Sequence, residues 1–521
     1  MSKTNYMNDF YKQFEELYKK LDSLLEKNKE LINENKKLKK VVENGNYKLK
    51  LEMQKEFTKE RNELKKTIKT VSTQLEEANK LIKKLQEEND RLKNKNNKNS
   101  TNSSKPSSTD TMSPKEKTGA NLYNYRKKSN KKVGGQIGHK GYNLEKKKIE
   151  ELINQNKVEV RVINHTIKGD NKKEPTIKYK IGIKINTYVE KHVFHYDKNS
   201  EERLPKEFYT DVTYDNSVKT LALELGAYNV VSYDRTSDFF NVITDGIIKI
   251  SNGSLVNFLK EFSKKSNTSL NNIENNILNS DIKTDETTSK YNKSLMFFRN
   301  YSNDKNALYK AHEQKGHKPI EEDNILTRFT GGIMGDHDTT LYSYGTKNYE
   351  CNIHLGRYLE ELIQNITEIT WAKKMKNLLF EIKEEKEKLQ IKQIDKFEKE
   401  VIDNYENRYD EILKLSIKEN INIKSSFYKE KANKLYRRLK KYKENHLYFM
   451  KDFKVDFDNN ASEQDLRVLK IKTKVSGGFR SISVAQCYAD ALSIIKTAKK
   501  QNINPYSAIY QIFNNQVLFN D

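Results

Sequence analysis

A chain of 521 residues is more than one ordinary hydrophobic core organises, so it is expected to divide into two to four structural units. Its formal net charge of +24 and sequence pI near 9.4 point to a polyanionic partner, nucleic acid before an anionic membrane surface. No run approaches the ~18 consecutive apolar residues of a spanning helix, residues 1–20 lack the apolar stretch of a signal peptide, and the only cysteines, Cys351 and Cys487, build neither a disulfide framework nor a four-cysteine zinc site, so the expectation is a cytoplasmic protein without membrane contact.

In chain order, residues 17–42 carry a heptad with Leu17, Leu24, Leu31 and Leu38 at d and Leu21, Asn28, Asn35 and Val42 at a. Asparagine at a positions favours a parallel two-stranded pairing at some cost in stability. After Gly45 the phase shifts, and the pattern resumes with Phe57, Leu64, Val71, Ala78, Leu85 and Leu92 at d and Ile68, Leu75, Ile82 and Asn89 at a. Residues 1–95 are therefore expected to be a coiled-coil region that makes the protein a homo-oligomer. The other arrangement this pattern allows is a helix folded back on its own chain.

Residues 96–142 have no core-forming pattern and read as a basic flexible linker. From Lys93 to Lys140 there are twelve Lys or Arg against two acids, Asp110 and Glu116. An arm carrying Lys127, Lys128, Lys131, Lys132 and Lys140 suits sequence-independent phosphate binding; a plain solvated linker is the alternative. Between 156 and 198 the period becomes two, with Val158, Val160 and Val162 and then Ile177, Tyr179, Ile181, Ile183 and Ile185 alternating with polar residues, so 143–212 is expected to be a small β-rich module. Its histidines His165, His192 and His195 have no cysteine partner, which favours packing over metal binding. Helical spacing returns over 213–277, where SNGSLVNFLKEF reads as a capped helix and a DNA-binding helix-turn-helix is conceivable.

From residue 278 the segments SDIKTDETTSK, SLMFFRNYSN and NALYKAHEQ are three successive strand candidates, followed by a short helix around IEEDNIL and a strand ending in GGIMGDHD. Hairpin-connected strands followed by helix and strand fit an α/β sheet. The block 356–450, with Leu359, Leu362, Ile363 and Ile366 on one face, is helical and looks like an insertion in a core spanning 278–475, and 476–521 is expected to be a C-terminal tail.

Three acids stand out by context: Asp285 and Asp336, each at the end of a predicted strand, and Glu463, which opens a helix in DNNASEQDLR. Carboxylates are the hard oxygen ligands that hold Mg²⁺ or Mn²⁺ with open positions for phosphodiester chemistry. In a chain with 73 acidic residues that context alone selects nothing. Several separated strings in one order do more: NSSKPSSTD at 102–110, VGGQIGHKG at 133–141, TDETTSK at 284–290, DHDTTLYSYGTKNYECNIHLGRYL at 336–359, and DNNASEQDLR with SGGFRS at 458–467 and 476–481. In these the chain resembles the transposases of bacterial insertion sequence 66.

The resemblance implies a multidomain α+β protein: an N-terminal coiled coil, a small β-rich module, and a ribonuclease-H-like α/β catalytic core interrupted by helices. It also implies an Asp-Asp-Glu DNA transposase, a nuclease and strand transferase whose catalytic, metal-holding residues are Asp285, Asp336 and Glu463 with two Mg²⁺ (or Mn²⁺) ions per site. Neighbouring residues in a strand face opposite ways, so Asp285 is preferred to Glu286, whereas Asp336 and Asp338 could face alike and only the resemblance separates them. Cys351, His354 and Arg357, the family's Cys-x-x-His-x-x-Arg segment, are expected to support the site. Arg467, Lys470, Lys472, Lys474 and Arg480 are expected, with the arm, to contact DNA. Members of the family often carry a cysteine-based zinc module after the linker; 143–212 has no cysteine, so no zinc is expected. The implied partners are DNA (element ends and target), further copies of the chain and companion proteins of the element, in the cytoplasm at the nucleoid. Two other functions stay open, a non-catalytic DNA-binding coiled-coil scaffold and a ribonuclease-H-like nuclease without strand transfer.

Overall fold

In the computed structural model, which describes residues 3–42, 47–99, 102–103, 145–165, 177–195, 203, 208 and 210–520, the two heptad segments form long helices, α1 (Lys3–Val42) and α2 (Tyr47–Asn97). The half-buried positions of α1 include Leu17, Leu21, Leu24, Asn28, Leu31, Asn35 and Leu38, with the residues between them exposed, so the heptad reading of which face is covered agrees with the structure. The two helices contact each other, and four intervening residues leave them only an antiparallel arrangement. Within the single chain the stripe is thus half-covered, with α1 and α2 packed on each other. Apart from Asn102 and Ser103, the linker signatures and the lysines Lys127, Lys128, Lys131, Lys132 and Lys140 lie outside the described residues.

Next come α3 (Lys146–Asn154), α4 (Asn216–Leu223) with a π-helical turn at Glu224–Tyr228, α5 (Tyr233–Ile243), α6 (Asn252–Lys265) and α7 (Asn267–Leu278). Side-chain oxygens of Asp215, Ser232 and Ser251 accept first-turn N–H groups of α4, α5 and α6, the local reason these helices start where they do. The strands expected between 156 and 198 do not form among the described residues: Val160, Val162, Ile183 and Val189 are exposed, and without a facing layer to cover them alternating side chains do not hold a ladder.

The remaining elements are β1 (Ile282–Tyr291), β2 (Ser294–Ser302), β3 (Ala307–His312), α8 (His317–Asp323), β4 (Gly332–Gly335), β5 (Lys347–Glu350), α9 (Asn352–Asn365), α10 (Trp371–Ile391), α11 (Lys399–Asn420), α12 (Ser426–Lys441), α13 (Lys443–Lys451), α14 (Asn460–Ser476), α15 (Ile482–Lys500) and α16 (Pro505–Phe513). The described chain is mostly helical, with one small mixed sheet. It divides into two compact units. The first comprises α1 and α2, the turns of α9 from Leu355 onward, and α10 to α12. There Trp371, fully buried, donates its Nε1–H to Asn420, and the end of α2 docks on α12 through Glu87 with Ser426 and Asn94 with Lys431.

The second unit is built on a five-stranded sheet in the order β3-β2-β1-β4-β5. β1, β2 and β3 form an antiparallel meander, whose first turn, Asn292-Lys293, has positive φ at both residues, the twist that a two-residue hairpin needs. β4 runs parallel to β1, and β5 parallel to β4. α14 packs on β1 and β2, and α15 on β3 and α6. The segment 476–521 is not a tail: Ala485, Ala489, Leu492, Ile495, Ile509 and Phe513 are fully buried in the core beside Phe262 and Phe298, because α15 and α16 each carry an apolar face that only this sheet and its helices cover.

Candidate active site at the carboxyl ends of the parallel strands

The register of β1 on β4 pairs Ile282 with Ile333 and Lys283 with Met334, an offset of 51 residues. That offset equals the separation of Asp285 and Asp336, so the two acids stand at one level just where β4 ends. β4 pairs with β5 at an offset of 15, Gly335 with Glu350, and the amide of Cys351 donates to the Gly335 carbonyl at 3.1 Å, which brings Cys351 to the same level. Asp281 locks this register at the other end: its two oxygens accept from the Gly332 amide (2.7 Å) and the Tyr349 hydroxyl (2.8 Å). Gly332 must be glycine here, since a Cβ would lie 2.3 Å from the Tyr349 oxygen. Crevices beyond the carboxyl ends of parallel strands are where α/β sheets bind ligands.

The third acid arrives on α14, whose start is bolted to β1 and β2. The Asn459 side chain donates to the Thr284 carbonyl (2.8 Å), its carbonyl accepts the Glu463 amide (3.2 Å), and its own amide points at Cys351 Sγ (3.3 Å). Asn300, fully buried and cross-strand from Asp285, accepts from the Asp285 amide (3.0 Å) and the Ser462 hydroxyl (2.7 Å) with one oxygen. Asp285 and the residue before Glu463 therefore share one buried amide. His354, on the first turn of α9, links the other two acids: Nε2 is 3.2 Å from Asp336 Oδ2 and Nδ1 is 3.6 Å from Glu463 Oε1.

Neighbouring acids are otherwise engaged. Glu286, on the other face of β1, pairs with Arg299 at 3.0 Å and Lys315 at 2.8 Å. Asp338 accepts from both the amide and the hydroxyl of Thr340 and lies 3.5 Å from Arg299; the intervening His337, at φ +48°, turns it away from the line of Asp336. Burial pushes the Asp285 carboxyl above its ordinary range, partly offset by the hydrogen bond from the Glu286 amide and by the charge of Lys470.

Along α14, Arg467, Lys470 and Lys474 are exposed and follow Glu463 at helical spacing on one face, and Arg480 is exposed beyond the helix. Lys472 is a correction to the sequence reading. It is buried, with its ammonium 3.4 Å from the Gly226 carbonyl and over the rings of Tyr233 and Tyr488, so no phosphate reaches it. The SGGFRS string ties the end of α14 to the hairpin: Phe479 donates to the Lys290 carbonyl (2.7 Å) and accepts from the Asn292 amide (3.1 Å). Gly478, at φ +130°, has no room for a Cβ against Lys290. Arg357, third of the Cys-x-x-His-x-x-Arg segment, is half-buried and belongs to the first unit.

Residues 214–487, more than half the chain, match the family described as Transposase IS66 family. The chain belongs to the IS66 transposase family. The IS66 match spans every strand of the sheet together with α14, and membership implies a DNA-binding, DNA-processing enzyme of an insertion sequence. Residues 51–145 match a second family, described as a family of unknown function (DUF6444). Comparison with curated proteins and with solved structures gave no match. Among its described residues this IS66-family chain has no helix long and apolar enough to cross a membrane. Sequence reading did not single out Asn300, Asn459 or Ser462. Asn459 and Ser462 do lie within the DNNASEQDLR string, and for Asn300 the signal was a pair of polar residues, Arg299 and Asn300, inside the largely apolar run MFFRNYS.

Proposed function

We propose that this IS66-family chain is a DNA transposase in which Asp285, Asp336 and Glu463 form an Asp-Asp-Glu site for hydrolysis at element ends and strand transfer into target DNA. The observation that carries the reading is the β1–β4 register, whose 51-residue offset sets Asp285 and Asp336 abreast, with Glu463 tied in through Asn459 and His354. A meander of three antiparallel strands followed by two parallel ones, order β3-β2-β1-β4-β5, supports a ribonuclease-H-like core, and the helices between β5 and α14 fit the insertion read from the sequence.

Three carboxylates are a hard oxygen donor set suited to Mg²⁺ or Mn²⁺, two ions per site. Such ions, when bound, activate the attacking water or 3′-hydroxyl and stabilise the leaving oxygen. The protein's part is positioning: buried amides fix Asp285 and the approach of α14, and Arg467, Lys470, Lys474 and Arg480 line up to hold the phosphate backbone near the acids. The arm at 96–142 adds sequence-independent affinity, the helical segment 213–277 contributes to DNA binding, and the half-covered stripe of α1 and α2 serves self-association, with companion proteins of the element as further partners in the bacterial cytoplasm.

The test is cleavage and strand transfer on DNA carrying the element ends, with Mg²⁺ or Mn²⁺ supplied. Asp285→Asn, Asp336→Asn and Glu463→Gln are each expected to reduce both reactions to background while DNA affinity stays close to wild type. A variant that still cleaves removes its residue from the triad. Wild-type cleavage without joining would make the protein a nuclease instead.

A further inference from the structure

The Cys351–His354 pair does more than pack beside the acids. Cys351 Sγ, His354 Nδ1 and a carboxylate oxygen of Glu463 all lie within 4.8 Å of one another, with Sγ to Nδ1 at 3.4 Å and Nδ1 to Oε1 at 3.6 Å. A tetrahedral ion with bonds of ~2.3 Å to sulfur and ~2.0 Å to nitrogen holds those two ligands ~3.5 Å apart. We propose that Cys351, His354 and Glu463 form a site for one borderline divalent cation of the zinc or cobalt class, with a coordination position left for water or substrate.

Three features of the geometry carry this. First, both nitrogens of His354 have assigned work: Nε2 faces the Asp336 carboxylate at 3.2 Å, and Nδ1 faces the thiol and Glu463. A carboxylate on the far nitrogen is the usual outer partner of a metal-bound imidazole, fixing the tautomer that leaves the near nitrogen's lone pair for the ion. Second, the donors are sulfur, nitrogen and oxygen, a set that selects zinc-like ions over Mg²⁺, which takes oxygen. Third, the ligands differ in exposure. Cys351 and His354 are buried, whereas Glu463 is partly exposed at the first turn of α14, with its carboxylate already 3.6 Å from His354 Nδ1. A site with two buried ligands and one at the surface keeps an open side, as catalytic zinc sites do and closed structural ones do not.

The ligands come from the end of β5, the start of α9 and the start of α14, so no local spacing announces them. The sequence expectation of no zinc rests on the absence of cysteine from 143–212 and is silent about this cluster. Glu463 is common to this site and to the proposed triad, yet the inference stands on ligand geometry and holds whether or not Asp285 takes part in catalysis.

The experiment is titration of the purified full-length protein with Co²⁺, followed by the thiolate-to-cobalt charge-transfer absorbance, with Zn²⁺ as competitor. One equivalent of Co²⁺ is expected to produce the band and one of Zn²⁺ to abolish it, while millimolar Mg²⁺ leaves it in place. Since the chain has only two cysteines, Cys487→Ser is expected to keep the band and Cys351→Ser to lose it. Glu463→Gln is expected to weaken Co²⁺ binding at least tenfold, a variant that serves should Cys351→Ser fold poorly. Asp285→Asn is expected to keep the band, which separates this result from the fate of the triad. No stoichiometric band in the wild type, or one that persists in Cys351→Ser, overturns the proposal and leaves a proton as the bridge between His354 and the acids.

Discussion

Lys472 is the sharpest test of how burial sets chemistry in the second unit. Its ammonium is buried against the Gly226 carbonyl, no carboxylate among the described residues pairs with it, and burial pushes it down from 10.5 to about 8. A depression of 2.5 units at ~1.36 kcal/mol each is a cost of about 3 kcal/mol for keeping the charge in the folded state. Below pH 8 both folded and unfolded chains are protonated and the whole cost is present. Between pH 8 and 10.5 the folded chain has released a proton that the unfolded chain still holds, so stability rises with pH across that window and the cost is gone above it. Lys472→Met keeps the unbranched stem and removes the charge. Urea unfolding of both proteins, followed by circular dichroism at matched pH from 7 to 11, should show the variant more stable at pH 7, by up to about 3 kcal/mol, and the gap closing toward pH 10.5. The Tyr233 and Tyr488 faces, 4.9 and 5.3 Å away, favour the charge and make that figure a ceiling. DNA affinity should be unchanged. A gap that does not vary with pH would show that the ammonium reaches water and refute the reasoning.

Two other outcomes are expected. Asn300→Ala strands the Asp285 amide and the Ser462 hydroxyl inside the protein, at about 1–3 kcal/mol for each group left unpaired, and should raise the Mg²⁺ concentration needed for half-maximal cleavage; wild-type stability and metal dependence would remove Asn300 from the site's support. Deleting residues 104–142 should flatten the dependence of log K on log salt for non-specific DNA by about one unit for every phosphate the arm neutralises, and an unchanged slope would reduce the arm to a tether.

Successive strand-rich segments separated by short polar turns were enough to read β1, β2 and β3, and the a/d spacing of Leu17 to Leu38 marked the half-covered face of α1. It did not say what covers that face, because an apolar stripe is the same whether its partner lies in another chain or fifty residues on. β5 escaped notice: KNYE is four residues long and carries one apolar ring. Residues 158–163 and 177–185 show the converse, alternation without a layer to bury it. For Lys472 the misreading was avoidable. At about 100° per residue, nine positions from Glu463 is half a turn off, whereas Arg467, Lys470 and Lys474 return to the same side. The site itself depends on a strand offset of 51 and on Asn300, Asn459 and His354 meeting across the fold, and pairings of that range leave no local trace in sequence.

The excursion between α9 and α13 leaves and re-enters the second unit through segments stitched side by side. The Asn352 amide donates to the Phe457 carbonyl at 3.0 Å, its side chain to the His446 carbonyl at 2.9 Å, and Asn445 to the Asn348 carbonyl at 2.6 Å. A detour whose two ends are clasped together is thermodynamically quiet: doubling its length adds only ~0.6 kcal/mol of closure entropy. The clasp makes the intervening helices an exchangeable cartridge, so evolution or an engineer is free to lengthen, trim or replace them without dislodging the acid that follows.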